Sequence, residues 1–410
     1  MRRTTSLAAL AAWMGLAAAG CASEPAEAPL AVEPTPASKA DEAQSPAPEG
    51  GPTANTDKGG GEQASPASPA DLAQRTTAAI ERGVAFLRAQ QADDGSWAEG
   101  NVGVTALAAE ALLESARPGG QDEPVRRAVE YLVARQADDG SIGDVGLVTY
   151  TTSIALMVLV KADREAYATP IEKAKAYLIE HQWDEPESID QGHPWYGGAG
   201  YGQHERPDLS NASFFLEAMH QAGVPPDHPL WAKARVFLSR TQDRSESNDA
   251  VFVGTDSGGF IYSPHGGGES KAGTVDLPGG RKGLKAYASM TYAGFKSFVY
   301  AGLARDDPRV QAALDWIRRH WTFEENPELG QQGLYYYYLT ASRALAAWGE
   351  DTILDARRQP HHWRAELADA ILRRQQADGS WFNEADRWFE GRQIAVVPTS
   401  YSIIALVQCL

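Results

Sequence analysis

The chain of 410 residues carries a formal net charge of −17, and 43% of its residues are hydrophobic. An acidic chain binds polyanions poorly, so we expect no nucleic-acid partner. Its two cysteines, Cys21 and Cys409, cannot form a multi-cysteine metal site, and neither a metal nor another cofactor is predicted.

The first 20 residues have the features of a secretory signal peptide. Two arginines precede an apolar run that is too short to span a membrane, and small residues lead to Cys21. The four residues AAGC that end at Cys21 resemble a bacterial lipobox. This resemblance implies cleavage before Cys21, a lipid on its sulfur, and a lipoprotein anchored at the periplasmic face of the cell envelope, at the outer membrane. The alternative is an ordinary signal peptide with an incidental cysteine.

Residues 21–70 consist largely of Pro, Ala, Ser, Glu and Gly. Such a segment cannot bury enough apolar surface to offset the entropy lost on ordering, so it is predicted to be a disordered tether. The folded domain is expected over residues 71–410.

One short phrase occurs three times in this domain: QADDGSW at residues 91–97, QADDGSI at residues 136–142 and QADGSW at residues 376–381. Each copy lies between two helix-like apolar stretches, which indicates a repeated structural unit. The Asp-Gly pair favours a tight turn, because Asp accepts local backbone hydrogen bonds and Gly tolerates a positive φ. The phrase is therefore predicted to join two helices.

Two kinds of helix alternate along the domain. The first helix of each pair is amphipathic, as Ile80, Val84 and Leu87 illustrate by their three-to-four spacing. The second is more uniformly apolar, and residues 148–160 and 401–410 carry no charge. A helix without a polar face is buried on all sides. Six such pairs predict an all-α fold, an (α/α)6 toroid of six helical hairpins whose inner helices line a central cavity.

The phrase resembles the Q-x-x-D/N-G-S-W repeat of the squalene cyclase and protein prenyltransferase superfamily. GGFIYSP at residues 258–264 and YASMTYAG at residues 287–294 resemble uncharacterised bacterial prenyltransferase/squalene-oxidase-repeat proteins. The resemblance implies a terpene cyclase-like toroid. The D-x-D-D motif of the cyclases is absent, and PDLSNA at residues 207–212 keeps only Asp208. The zinc ligands of prenyltransferases are also absent, so a cyclase-like isomerase is favoured over a prenyltransferase if the protein is an enzyme.

The connections from outer to inner helices are the long ones, over residues 183–207, 241–285, 322–333 and 382–398. In an alternating ring they share one rim, at the N-termini of the inner helices, where we expect unpaired N–H groups. Asp208 at this rim is a candidate general acid or, alternatively, only the N-cap of an inner helix. The other candidate rim and cavity residues are polar or aromatic: His193, Trp195, Tyr201, His204, Glu205, Asn211, Asp276, Tyr287, Tyr335, Tyr336, Asp386 and Trp388.

These features favour an envelope-anchored toroid that binds an apolar, isoprenoid-like ligand in its central cavity. A first alternative is a non-catalytic module whose rim contacts another envelope protein. A second is a carbohydrate-active (α/α)6 enzyme, in which Trp195 and Trp388 stack on sugars and two rim carboxylates act as acid and base.

Overall fold

A computed structural model describes the following residues: 69–116, 122–143, 146–202, 205–250 and 254–410. The signal peptide, Cys21 and almost the whole tether lie outside the described residues, and so does His204. The predictions made for them remain predictions. In the part of the chain that is described, no helix is long and apolar enough to cross a membrane.

Twelve α-helices in the described residues alternate between an outer and an inner layer, which confirms the predicted (α/α)6 toroid. The outer helices are α1 (Pro69–Gln90), α3 (Glu123–Val133), α5 (Ala168–Glu180), α7 (Pro229–Thr241), α9 (Pro308–Arg319) and α11 (Trp363–Leu372). The inner helices are α2 (Val102–Ser115), α4 (Val148–Asp163), α6 (Leu209–Gln221), α8 (Ala288–Tyr300), α10 (Leu334–Trp348) and α12 (Val396–Val407). Each inner helix packs against the next, and α12 packs against α2, so the inner ring closes.

The two layers differ in burial as their sequences predict. In the inner helix α4, every residue from 154 to 159 is fully buried. In the outer helix α3, Val125 and Val129 are buried, whereas Arg126 and Glu130 are exposed. The inner helices are enclosed because each contacts two inner neighbours as well as the outer layer.

Two antiparallel β-hairpins supplement the helices in the described part of the chain. Strands β1 (Thr274–Leu277) and β2 (Arg281–Leu284) lie in the long connection between α7 and α8. Strands β3 (Thr352–Leu354) and β4 (Pro360–His362) join α10 to α11.

The repeated phrase links neighbouring outer helices through two hydrogen bonds that one glutamine side chain donates. We call this arrangement the clasp. In the first copy, Gln91 Nε2 donates to the carbonyl oxygen of Gly95 at 3.0 Å and to that of Pro124, in the next outer helix, at 2.9 Å. Gly95 has a φ of +88°, and a Cβ there would lie 2.5 Å from the carbonyl oxygen of Arg127. Glycine is required because any side chain would collide with the backbone of α3.

The same clasp recurs in four further hairpins, where a glutamine donates to a glycine carbonyl and to a carbonyl of the next outer helix. The pairs are Gln136 with Gly140, Gln182 with Gly197, Gln242 with Gly258 and Gln375 with Gly379. In the Gln182 and Gln242 clasps, an inserted loop separates the glutamine from its glycine. Those insertions conceal two copies of the repeat in the sequence.

In the last hairpin, the glutamine of the clasp is Gln375, one residue before the phrase QADGSW. Gln375, rather than Gln376, is the counterpart of Gln91, because it precedes Gly379 by the same interval at which Gln91 precedes Gly95. Gln376 Nε2 donates instead to the carbonyl oxygen of the nearby Arg374.

Candidate functional site

The long loops cover the N-termini of four inner helices. In each of these helices, a backbone N–H of the first turn donates a hydrogen bond to an acceptor in the long loop of the next hairpin along the chain. The pairs are Thr149 N with Tyr201 O at 3.0 Å, Leu209 N with Tyr262 O at 2.8 Å, Ala288 N with Pro327 O at 3.1 Å, and Tyr336 N with Glu390 Oε1 at 2.7 Å. The prediction of unpaired N–H groups is wrong at these positions, because the loops supply the acceptors.

Asp208 is the N-cap of the inner helix α6 and is fully buried. Its Oδ1 accepts a hydrogen bond from the backbone N–H of Asn211 at 3.0 Å, and its Oδ2 accepts one from the Asn211 side-chain amide at 2.7 Å. Burial raises the pKa of the carboxyl to about 6, against the opposing effect of these hydrogen bonds. Below that pH, Asp208 is mostly a neutral acid.

Four tyrosines interact electrostatically with Asp208. Burial raises the pKa of all four phenols, and the charge of Asp208 adds to the rise; they are Tyr201, Tyr262, Tyr287 and Tyr336. The hydroxyl oxygens of Tyr201 and Tyr262 lie 3.5 Å apart. The phenols therefore stay neutral. The hydrogen bond from the Tyr262 side chain lowers the pKa of Asp208, so burial alone accounts for the net rise.

Four aromatic side chains from four inner helices meet inside the ring, and we call Tyr150, Phe214, Tyr336 and Tyr401 the aromatic layer. The ring centroids of Tyr150 and Phe214 lie 5.2 Å apart, and those of Tyr336 and Tyr401 lie 6.0 Å apart. The Tyr336 hydroxyl reaches from α10 to α6, where it lies 2.8 Å from Ser210 Oγ. Because α8 stands between α6 and α10 in the ring, this contact joins two inner helices that are not neighbours. Tyr150 and Tyr336 are half-buried, so the layer retains accessible aromatic surface.

Glu390, from the last long loop, is a second buried carboxyl at this rim, with 2% of its surface exposed. Burial and then the charge of Asp386 raise its pKa to about 8, although backbone hydrogen bonds from Tyr336 and Tyr335 oppose the rise. The sequence shows that this loop is polar. Which of its carboxylates is buried depends on the packing against α10.

Three predicted residues around α10 support its N-terminus. Asp386 Oδ1 accepts the N–H of Gly333 at 2.9 Å, and its Oδ2 accepts the N–H of Trp388 at 2.7 Å. The Trp388 ring packs beside Gly333. Tyr335 is buried away from the aromatic layer, with its hydroxyl donating to the carbonyl oxygen of Phe382 at 3.3 Å.

Other predicted residues lie elsewhere on the rim. Trp195 Nε1 donates to His265 Nδ1 at 3.1 Å, and the His193 ring packs edge-on against Trp195 at 5.3 Å. Glu205 is exposed. Asp276 lies on β1 with 87% of its side chain exposed and pairs with a lysine of β2. In the described part of the chain, no group of three or more His, Cys, Asp or Glu residues is arranged to hold a metal ion.

A second layer inside the ring consists of charged side chains nearer the C-termini of the inner helices. We call it the charge layer, and its members are Glu110, Glu114, Lys161, Glu217, Lys296 and Arg343. Arg343 Nη2 lies 2.8 Å from Glu110 Oε1, and Lys296 Nζ lies 2.5 Å from Glu217 Oε2. Burial raises the pKa of Glu217, but Arg343 and Lys296 outweigh it and lower the pKa to about 2. The three carboxylates are therefore balanced by three cations.

The chain is similar in structure to a terpene cyclase. No family model matches the chain, and no curated protein matches its sequence. Among solved structures, the type II terpene cyclase MstE from Scytonema has a TM-score of 0.52 and 16% identity, over 82% of this chain and 98% of the cyclase. A structure of a variant of that cyclase contains geranylgeranyl dihydroxybenzoate as substrate.

Two carbohydrate enzymes are similar to the same extent. D-mannose isomerase has a TM-score of 0.53 and 11% identity, over 84% of this chain and 99% of the isomerase. An α-1,6-mannanase of Salegentibacter, in complex with α-1,6-mannotriose, has a TM-score of 0.51 and 9% identity, over 83% of this chain and 99% of the mannanase. At these identities the likeness shows the (α/α)6 toroid and leaves the reaction open.

Proposed function

We propose that the aromatic layer binds an apolar, isoprenoid-like ligand inside the ring. The observation that carries this proposal is the accessible aromatic surface of Tyr150 and Tyr336, close to the buried carboxyl of Asp208. Burying hydrocarbon against such a surface stabilises a complex by roughly 25 cal/mol per Å². The isoprenoid substrate of the similar cyclase MstE supports this ligand class.

Asp208 is the candidate acid of this site. Its protonated carboxyl can donate a proton to an alkene carbon of the bound ligand, which forms a C–H bond and leaves a carbocation. The two hydrogen bonds from Asn211 stabilise the carboxylate that remains. Loss of a proton from the rearranged carbocation restores the acid, so the overall reaction is an isomerisation.

The test uses the full-length protein with squalene and geranylgeraniol as probes. The Asp208→Asn variant should bind as the wild type does and convert neither probe, because the amide has no acidic proton. The matched change of an exposed carboxylate, Asp276→Asn, should leave conversion unchanged. Conversion by the wild type should fall as the pH rises above about 6, where Asp208 loses its proton.

Two results would overturn these assignments separately. Conversion that persists in Asp208→Asn excludes the acid role of this residue and leaves the ligand site intact. A wild-type protein that binds neither probe excludes the apolar ligand itself.

We also propose that Cys21 carries a lipid anchoring the protein to the cell envelope, with the segment between Cys21 and α1 as the tether. The support is the AAGC sequence and the composition of the segment that follows. Cys21→Ser should shift the protein from the membrane fraction to the soluble fraction. A wild-type protein found in the soluble fraction would exclude the anchor.

A second candidate function is carbohydrate binding at the rim. The observation in its favour is the half-buried indole of Trp195, held by His265 and flanked by His193, and the two sugar enzymes of the same fold add support. Calorimetric titration with mannose and α-1,6-mannotriose tests it, because heat that disappears in Trp195→Ala would assign the site. Co-purification of an envelope protein would instead favour a rim that binds a protein partner.

A further inference from the structure

The charge layer contains three buried polar atoms that have no hydrogen-bond partner. They are Glu110 Oε2, Glu114 Oε2 and Arg343 Nη1. Arg343 Nη1 lies 3.2 Å from Glu217 Oε2, but the two are not aligned for a hydrogen bond. Buried polar atoms are normally paired, since leaving them unpaired costs free energy. Three such atoms in one cluster therefore indicate a binding position.

The position lies inside the ring, deeper than the aromatic layer. Tyr336 and Arg343 both belong to α10 and are seven residues apart, which corresponds to about 10 Å along the helix at 1.5 Å per residue. Glu110 is fully buried and Arg343 is 5% exposed. A ligand that enters past the aromatic layer would thus reach the charge layer with its far end.

We propose that the charge layer binds the polar end group of the ligand, and that this end group is a hydroxyl. The inference rests on the proposed binding of an apolar ligand in the ring. Because the layer already balances three anions with three cations, a charged end group would be buried without a counterion. A hydroxyl both donates and accepts, so it can donate to Glu110 Oε2 and accept from Arg343 Nη1.

The experiment compares three probes that share one sesquiterpene carbon skeleton: farnesol, farnesyl methyl ether and farnesene. Affinity for the full-length protein is measured from the quenching of tryptophan fluorescence. We expect farnesol to bind about tenfold more tightly than farnesene, the factor that corresponds to one hydrogen bond to a charged group. The ether can only accept, so its affinity should lie between the two.

Equal affinities for the three probes would overturn the hydroxyl assignment and leave the apolar site standing. Failure of all three to bind would overturn both proposals.

Substitution of Glu110 tests the position of the end group. Glu110→Gln should reduce the preference for farnesol over farnesene to less than about threefold, since a hydrogen bond to the neutral amide contributes less than one to the charged carboxylate. Glu130→Gln, the same change on the exposed face of α3, should keep the full preference. A full preference in Glu110→Gln would overturn the assignment of the end group to the charge layer. If Glu110→Gln fails to fold, as judged by far-ultraviolet circular dichroism, the probe series on the wild type decides the question.

Discussion

The buried carboxyl of Glu390 should make the protein less stable as the pH rises. Burial raises its pKa in the folded state to about 8, whereas the ordinary value is 4.5. Between these pH values the folded state binds more protons than the unfolded state, so the free energy of unfolding decreases with increasing pH. The contribution of Glu390 to the free energy of unfolding is fully present below pH 4.5 and is lost as the pH rises towards about 8.

The size of the effect follows from the difference between the two pKa values. One pKa unit corresponds to about 1.4 kcal/mol. Glu390→Gln removes the titration and keeps a side-chain oxygen that can accept the N–H of Tyr336. Relative to the wild type, the variant should therefore gain on the order of 3 kcal/mol in the free energy of unfolding between pH 5 and pH 8.

Urea unfolding followed by tryptophan fluorescence at these two pH values measures the difference. Glu325→Gln, at an exposed glutamate of another long loop, should show the same pH dependence as the wild type. If Glu390→Gln and the wild type respond identically to pH, Glu390 is not a buried acid with a raised pKa, and the reasoning fails.

Two pairs of substitutions test the clasps by urea unfolding. Gln375→Ala should lower the free energy of unfolding by about 2 kcal/mol, because two hydrogen bonds to backbone carbonyls are lost together with an exposed one from Arg82. Gln376→Ala next to it should cost less than about 1 kcal/mol. Equal losses would contradict the assignment of the clasp to Gln375. Gly140→Ala should cost more than about 2 kcal/mol, because its Cβ would lie 2.3 Å from the carbonyl oxygen of Lys173. Gly279→Ala has a similar positive φ but open space and should cost about 1 kcal/mol, so identical costs would exclude the close approach as the cause.

Two of the five clasps cannot be recognised from the sequence pattern. In the first two copies, glutamine and glycine are four residues apart, and the phrase is readable. In the third and fourth hairpins, loops separate Gln182 from Gly197 and Gln242 from Gly258, although the hydrogen bonds are the same. Because the clasp is defined by contacts with the next outer helix, linear spacing cannot reveal it once a loop is inserted.

In the candidate site too, local sequence predicts some features and tertiary packing decides others. The N-cap alternative for Asp208 was predictable, because capping depends on the few residues that follow it along the chain. Its complete burial among tyrosines, and the equal burial of Glu390, result from loops of separate hairpins that pack onto the inner helices. Asp276 lies on an equally polar loop yet projects into solvent.

The sequence by itself determined the alternation of amphipathic and predominantly apolar helices, and with it the two-layered ring, because helix burial follows from the periodicity of apolar residues. The tertiary structure alone decided which charges lie inside. The members of the charge layer come from five different inner helices, and Arg343 meets Glu110 across more than half of the chain. Such pairs have no local spacing, since their partners are brought together only when the ring closes.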